Sequence, residues 1–534
     1  MFDPLGSARA PRARDDRGHG AGHGTRSVCP VCLAAIPAQR CRRGDDVVLR
    51  KACPDHGAFE TVLWRGGYPA FADWKSPKTP SAPRHCHTQG TGNCPHDCGL
   101  CPDHGQHTCT ALLEITQHCN LRCPVCFAGA GDHSSAEQAD PGLPAIAFWY
   151  DRVIEASGHC NIQLSGGEPT VRHDLPAIIA LGRAKGFSFI QLNTNGLRLA
   201  DDPAYARTLR QAGLASVFLQ CDGVDDAVYA ALRGRPLWAI KQRAVRHAVD
   251  AGLGVVLVAT VAPGVNDGQL GALVRYALTA GPLVRGVHFQ PISYFGRYAV
   301  PGARAAASAP HAGPPDAARI TLPDIMRGLE TQTHGMVRVA HCRPPGCEHA
   351  LCSFHASYVR TAQGGLRRLA GDAPCCGPKP APPSAPSASP PSAPPSAVDG
   401  ARRSIAYTAR QWAAPPARAC AAPGTRDSAE KNRTPASLSG QGAAPGPAQA
   451  PTLPGAPGTG MSLDAFLEQA RTWTFSVSAM AFQDAWTLDL ERLKGCCIHV
   501  VAPDGRLVPF CAYNLTAADG RPLYRGQSEP PCQP

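Results

Sequence analysis

The chain has 534 residues, 24 of them cysteine and 53 proline, and a formal net charge of +11. That length excludes a short secreted disulfide scaffold, so clustered cysteines read as metal ligands in a reducing, cytoplasmic setting. The arginines are spread along the chain with no basic run interleaved with aromatics, so the charge describes a solvated surface and no nucleic-acid partner is expected. Residues 1–27 are polar and basic without an apolar signal core, and predict a disordered tail. The longest apolar stretch, Leu253–Ala262, is too short to cross a bilayer.

Residues 28–66 predict a small knuckle. Cys29-Pro30-Val31-Cys32 and Cys53-Pro54-Asp55-His56-Gly57 form two turns, with the alternating run Val47–Lys51 in a hairpin between them. Two such turns suit one tetrahedral ion, zinc or a rubredoxin-like mononuclear iron. Cys29, Cys32 and Cys53 supply three ligands. The fourth is His56 or Cys41, and His56 is favoured because it completes two paired x2 spacings. A domain this small is held together by its metal.

Residues 67–109 form a cysteine-rich segment. Cys94, Cys98 and Cys101 are spaced C-x3-C-x2-C in a loop rich in Pro and Gly, and Cys109 follows eight residues on. With Cys109 as fourth ligand this predicts a closed auxiliary cluster; a second zinc site is the alternative.

Residues 110–298 alternate apolar runs with amphipathic helical patterns. Strands are expected at 111–116, 161–164, 189–193, 216–220, 255–261 and 286–290, with helices such as 145–156, 176–184, 203–212 and 240–251 between them. Such βα units imply a parallel sheet with right-handed crossovers and functional residues at the carboxyl ends of the strands. After the first strand, Cys119, Cys123 and Cys126 stand in HCNLRCPVCFAG, again as C-x3-C-x2-C. Three thiolates hold three irons of a [4Fe–4S] cube and leave the fourth open to a chelating ligand. Here the chain resembles the radical S-adenosylmethionine (SAM) enzymes, whose third cysteine is usually followed by an aromatic residue, here Phe127. In that family the open iron takes the amine and carboxylate of SAM, and one electron from the cluster yields methionine and a 5′-deoxyadenosyl radical.

The resemblance gives the later motifs their roles. Gly166 and Gly167, after the second strand, lack a Cβ and let backbone come close to a ligand, and Glu168 offers acceptors to the SAM ammonium. Asn193 and Asn195, after the third, bind SAM or cap a loop. Asp222, after the fourth, accepts from ribose hydroxyls or sits in a turn. Gln290, after the sixth, faces adenine or substrate. Cys160 and Cys221, beside strands, read as inert buried thiols.

Residues 299–376 carry Cys342, Cys347 and Cys352 in HCRPPGCEHALCSFH, expected to hold a further cluster with one ligand from far along the chain. Cys375 and Cys376 are ligands or linker-edge thiols. Residues 377–460 are dominated by Pro, Ala, Ser and Gly and predict a disordered insertion, with Cys420 incidental. Residues 461–525 fold again, with strands at 475–480 and 498–501, a hairpin turn at Pro503-Asp504-Gly505, and Cys496, Cys497 and Cys511. This segment is expected to close the barrel end and complete an auxiliary cluster. Asp484 and Trp486 line the substrate cavity or cap a helix, with capping favoured. Residues 526–534 are a tail.

The order CPVC, CPDHG, CPHDCGLCPDHGQHTC, EITQHCNLRCPVCFA, LSGGEPT, FQDAW and PFCAYN resembles one radical SAM subgroup, the tetraether lipid synthases and the related enzymes proposed to methylate a pterin precursor. The resemblance spans residues 28–370 and 461–525; the Pro/Ala insertion departs from it. It implies an α/β fold, a partial (β/α)6 barrel with an N-terminal zinc-ribbon or rubredoxin-like knuckle and auxiliary cluster segments. It also implies a mononuclear iron or zinc, a SAM-binding [4Fe–4S] cluster on Cys119, Cys123 and Cys126, and two auxiliary [4Fe–4S] clusters. One auxiliary cluster takes Cys94, Cys98, Cys101 and Cys109; the other takes Cys342, Cys347 and Cys352 with a C-terminal cysteine, Cys511. SAM contacts carry over to Gly166, Gly167, Glu168, Asn195 and Asp222. The partners implied are a small-molecule or lipid substrate, an electron donor such as a flavodoxin or ferredoxin, and peripheral membrane contact. The first reading of the reaction is hydrogen abstraction from an unactivated sp3 carbon, joining lipid chains. The alternative is methylation of a pterin-like heterocycle. A non-enzymatic zinc-binding interaction protein is a third reading, opposed by the GGEP segment and the βα pattern.

Overall fold

The computed structural model describes residues 23–75, 81–131, 139–298, 313–361, 364–369, 397–415 and 472–526. Cys375, Cys376, Cys420, most of the expected insertion and most of both expected tails lie outside the described residues.

The first unit is a four-stranded antiparallel sheet of β1 His23–Val28, β2 Ala35–Arg43, β3 Asp46–Cys53 and β4 Gly57–Trp64, in that order. The ribbon therefore begins five residues earlier than the sequence suggests: His23–Val28, assigned mostly to the tail, pairs with β2 from His23↔Arg40 to Val28↔Ala35. It docks on the C-terminal segment by polar contacts. Thr25 Oγ1 donates to Asp489 (2.8 Å), Ser27 Oγ to Leu488 O (2.6 Å), and buried Lys51 Nζ to Ala485 O (2.6 Å).

The main sheet is built on β5 Thr110–Thr116, β6 Asn161–Gly166, β7 Ile190–Thr194, β8 Ser216–Gln220, β9 Gly254–Val261 and β10 Val284–Pro291, all parallel. Their near-continuous Val, Leu and Ile runs suit strands buried on both faces; in GVVLVATV of β9 all but Thr260 are buried. The crossovers are α1 Leu143–Ser157, α2 Leu175–Ala184, α3 Leu197–Asp201, α4 Pro203–Gln211, α5 Asp226–Arg233, α6 Trp238–Asp250 and α7 Leu270–Thr279. Asp202 caps α4 and Asp225 caps α5 by accepting from backbone N–H groups of the first turn.

The sheet does not stop at six strands. After α8 Leu322–Gln332, the hairpin of β11 Ser353–Arg360 and β12 Leu366–Arg368 lies at one edge. The C-terminal segment then adds β13 Thr474–Met480, parallel to β10, and β14 Ile498–Val501, parallel to β5. With β15 Leu507–Pro509 the order is β12-β11-β13-β10-β9-β8-β7-β6-β5-β14-β15. The C-terminal segment thus extends both edges of the six-stranded unit.

A second departure lies inside the expected insertion, where α9 spans Ala397–Trp412. Asn161 Nδ2 donates to Ile405 O (3.4 Å), Arg285 Nε to Gln411 O (3.1 Å), and Trp412 packs on Phe218 with ring centroids 5.6 Å apart. Asp484 is buried, pairs with Arg319 (2.9 Å) and accepts from the backbone N–H of Tyr294, Trp486 and Thr487. It ties a turn and lies away from the cavity described next. No helix among the described residues is long and apolar enough to cross a membrane.

Candidate active site and metal centres

Cys119, Cys123 and Cys126 lie in the loop that leaves the carboxyl end of β5, and all three line one cavity. Cys119 Sγ accepts from Leu121 N (3.4 Å). Burial pushes the Cys119 thiol up to about 12 and also raises Cys123, so ionising them requires a compensating positive centre. Two arginines that the sequence did not single out hold the loop. Arg297 Nε donates to Cys123 O (2.8 Å) and Nη2 to Ala130 O (2.9 Å), while its backbone exchanges both hydrogen bonds with Cys126. Arg233 Nη1 donates to Val125 O (2.8 Å). Only a cation facing loop carbonyls would have marked them, and that needs the fold.

The GGEP segment meets this loop directly. A Cβ on Gly166 would stand 2.1 Å from Thr116 O, and one on Gly167 would stand 2.2 Å from His118 O. Gly167 N donates to Thr116 O and Glu168 N to His118 O, both at 2.8 Å. The glycines are therefore required by the chain's own cysteine loop, where the sequence suggested a ligand. Glu168 is also committed internally. Its carboxylate accepts from Thr170 N (3.2 Å), Thr170 Oγ1 (2.5 Å), Thr194 Oγ1 (2.6 Å) and Asn195 N (2.7 Å). It binds the end of β6 to the end of β7.

Asn195 lines the cavity, donating to Asn120 Oδ1 (2.7 Å) and accepting from Leu197 N (3.0 Å). Asp222 does not line it. It is fully buried and holds Arg233 through two bonds of 2.7 and 2.6 Å. Its position as a ribose acceptor is thus replaced by a supporting one, because the carboxylate is spent on the guanidinium that braces the cysteine loop. Gln290 does line the cavity. Cys160 and Cys221 are buried thiols raised to about 12 and about 11 by burial.

The cavity has a volume of about 300 Å3 and reaches from the Cys119–Cys126 loop to Cys109, Cys347 and Cys497 at the other end of the sheet. The seven residues of β5 separate the two ends, roughly 20 Å at about 3.3 Å per residue. Gln163, Asn193, Gln220 and Gln290 line it between Phe218, Val258 and Phe295. Ile405, Thr408 and Trp412 of α9 also face it. Asn193 Oδ1 is buried without a hydrogen-bond partner, an acceptor left for a ligand.

The remaining cysteines regroup. In the ribbon, Cys29, Cys32, Cys53 and His56 place their donor atoms within 4.8 Å of one another. His56 Nδ1 is 3.4 Å from Cys53 Sγ and 3.6 Å from Cys29 Sγ, and Cys32 Sγ is 4.0 Å from Cys53 Sγ. Bonds of 2.0–2.3 Å to one tetrahedral ion imply edges of about 3.5–3.8 Å, close to these separations. Cys41 instead turns its Sγ to Gln39 on β2.

Cys109 does not join Cys94, Cys98 and Cys101. It lies 3.1 Å from Cys347 Sγ and forms a compact buried group with Cys347 and Cys497. Cys94 and Cys98 are 3.8 Å apart, and the Cys98 thiol is pushed well up by Cys94, then by burial, with Cys101 and Cys496 adding. Cys496 lies within electrostatic reach of Cys98 on one side and of Cys511 and Cys352 on the other. The set of Cys342, Cys347 and Cys352 is split. Cys342 is packed in the main apolar core, its Sγ 3.7 Å from Arg338 O, and Cys352 lies within electrostatic reach of Cys511 and Cys496. Adjacent cysteines on a turn point opposite ways, which spacing alone does not show for Cys496 and Cys497. Cys119, Cys123 and Cys126 are not among the described groups whose donor atoms all lie within 4.8 Å, so they are spread too widely for one ion.

Residues 23–65 match the HMPTM N-terminal zinc ribbon domain, and residues 113–277 match the radical SAM superfamily. The 7,8-dihydro-6-hydroxymethylpterin dimethyltransferase of Methanocaldococcus jannaschii is 30% identical over 504 residues, 92% of this chain and 93% of its own length. This chain belongs to that family of radical SAM enzymes. A GTP 3′,8-cyclase of Paenarthrobacter nicotinovorans is 32% identical over 196 residues, 36% of this chain and 54% of its own length. The structure of SuiB from Streptococcus suis aligns with a TM-score of 0.33 at 14% identity, covering 43% of this chain and 46% of that one. As a radical SAM enzyme the protein works with a [4Fe–4S] cluster and SAM, and the ribbon and further cysteine groups fit zinc or auxiliary clusters. The residues present suit these groups: soft thiols in one loop, with Asn193, whose Oδ1 is unpartnered, lining the same cavity.

Proposed function

We propose that this enzyme methylates a pterin or a closely similar fused heterocycle. The observation that carries this reading is the match along 92% of the chain to a protein named as a pterin dimethyltransferase. The cavity supports it. Its volume of about 300 Å3 sits at the small end of ligand pockets. Gln163, Asn193, Gln220 and Gln290 present amides that suit the donor and acceptor edges of a heterocycle. A lipid chain would leave Asn193 Oδ1 unpaired, at about 1–3 kcal/mol. The joining of lipid chains is therefore the weaker reading.

The cluster and SAM, when bound, supply a carbon radical strong enough to take hydrogen from an unactivated position. The chain's own part is positional. Arg297 and Arg233 fix the cysteine loop, Asn195 lines the cavity beside it, the amides orient the ring, and α9 closes the floor against water. A flavodoxin or ferredoxin supplies the electron in this reading. The test is anaerobic reconstitution followed by incubation with 6-hydroxymethyl-7,8-dihydropterin, SAM and a reductant. The expected products are 5′-deoxyadenosine and a pterin heavier by one or two methyl groups. Release of 5′-deoxyadenosine that depends on a long-chain lipid, with the pterin unchanged, would overturn the proposal.

A further inference from the structure

We propose that Lys241 sets the hydrogen-bonding polarity of the cavity wall, turning Gln220 so that its amide N–H groups, and not its carbonyl, meet the substrate. Beside Asn193 Oδ1 this selects a ring edge that sets a carbonyl acceptor next to an N–H donor, the lactam edge of a 4-oxo heterocycle. The inference rests on the pterin reading and narrows it to one edge of the ring.

Lys241 lies on α6 and is fully buried. Burying an ammonium is costly unless its protons are taken up. Its Nζ donates to Asn195 O (2.5 Å) and to Gln220 Oε1 (3.3 Å), and stands 5.7 Å from the centre of the Tyr229 ring. Burial lowers the ammonium to about 8, so at neutral pH it is charged and can only donate. An amide beside a pure donor has one favourable orientation, with Oε1 toward the lysine and Nε2 away from it. Gln220 ends β8 and lines the cavity, and its Nε2 makes no hydrogen bond with the described residues.

Asn193 offers the opposite character. Its Nδ2 donates to Ser165 Oγ (3.3 Å), and its Oδ1 is buried without a partner. Asn193 pairs in register with Phe218, two residues before Gln220 on the neighbouring strand. Strands lie about 4.8 Å apart and two residues span about 6.6 Å, so the two amides sit diagonally on one wall, within reach of a single ring. A wall that donates at one point and accepts at the next rejects a ring whose edge is inverted, because both groups then face their own kind.

The test measures binding to the full chain, reconstituted anaerobically and saturated with SAM without reductant, so that no turnover occurs. The probes are 6-hydroxymethylpterin and its 2,4-diamino counterpart, in which a 4-amino group replaces the 4-oxo group and N3 loses its proton. The parent is expected to prefer the 4-oxo ring at least tenfold. Gln220→Glu keeps one oxygen on Lys241 and turns a second acceptor to the cavity, and is expected to lose that preference. Lys241→Met frees the amide to turn and is expected to lose it as well. A merely structural lysine would weaken both ligands alike and leave their ratio unchanged. If Lys241→Met does not fold, Gln220→Glu decides. A parent that binds neither ring overturns the pterin reading and this inference together. A parent that binds both equally, or prefers the diamino ring, overturns the inference alone, as does the parent's ratio persisting in either variant. A loss of SAM affinity in Gln220→Glu equal to the loss of pterin affinity would assign the amide to SAM and overturn it too.

Discussion

Two carboxylates show how a motif residue is spent. Glu168 and Asp222 both follow strand ends, as ligand-binding acids do, yet each is saturated by protein partners. Asp222→Ala leaves Arg233 buried and unpaired, and unfolding in urea is expected to show a loss of about 3–5 kcal/mol. The variant is also expected to bind its SAM cluster less tightly, since Arg233 braces Val125. Glu168→Gln turns one acceptor into a donor facing other donors, and is expected to cost about 1–3 kcal/mol in the same measurement. The sequence expected both acids to face SAM, whereas both carboxylates are taken up by the protein's own groups. What it could not show is which neighbour each acid satisfies, because Arg233 is 11 residues from Asp222 and Thr194 is 26 from Glu168.

Single elements differ in how openly they declare themselves. The ribbon is written in two short spacings, since a tetrahedral ion needs its ligands in tight turns. Its metal carries its fold, so His56→Ala is expected to release that metal and expose the ribbon to protease, while His56→Cys keeps it. The SAM cluster content, read by iron analysis, is expected to stay unchanged in both. Helix α9 is the opposite case. The surrounding Pro, Ala and Ser composition hid a Pro-free stretch whose Ile405, Thr408 and Trp412 recur at helical spacing. Trp412 fills space against Phe218 and His288 on the cavity floor. Trp412 is half-buried, so Trp412→Ala is expected to lower stability by less than the about 3–5 kcal/mol of a fully buried tryptophan, read by thermal or urea unfolding, and to slow turnover by admitting water.

At the scale of the whole molecule, two histidines held neutral, His288 buried and His355 half-buried, set an acid limit. Burial lowers His288 and His355 to about 4 from their ordinary 6.5. Below pH 6.5 the unfolded chain takes up protons that the folded chain refuses until about pH 4. Stability is therefore fully present above pH 6.5 and falls through that window, by up to roughly 3 kcal/mol per histidine. The apparent Tm is expected to drop steadily between pH 7 and 5, and His355→Gln is expected to flatten that slope.

The sequence by itself determined the six parallel strands β5 to β10, the cysteine triad after β5, the GGEP corner and the ribbon turns. Each of these depends on local periodicity or on ligands a few residues apart. Tertiary structure alone decided that β13 and β14 extend opposite edges of the sheet, that Cys109 meets Cys347 and Cys497, and that α9 enters the cavity wall. These join residues hundreds of positions apart. Backbone pairing at a sheet edge accepts any strand of suitable burial, and a thiol's partner is set by where its Sγ points. Neither quantity is encoded in the spacing between neighbours.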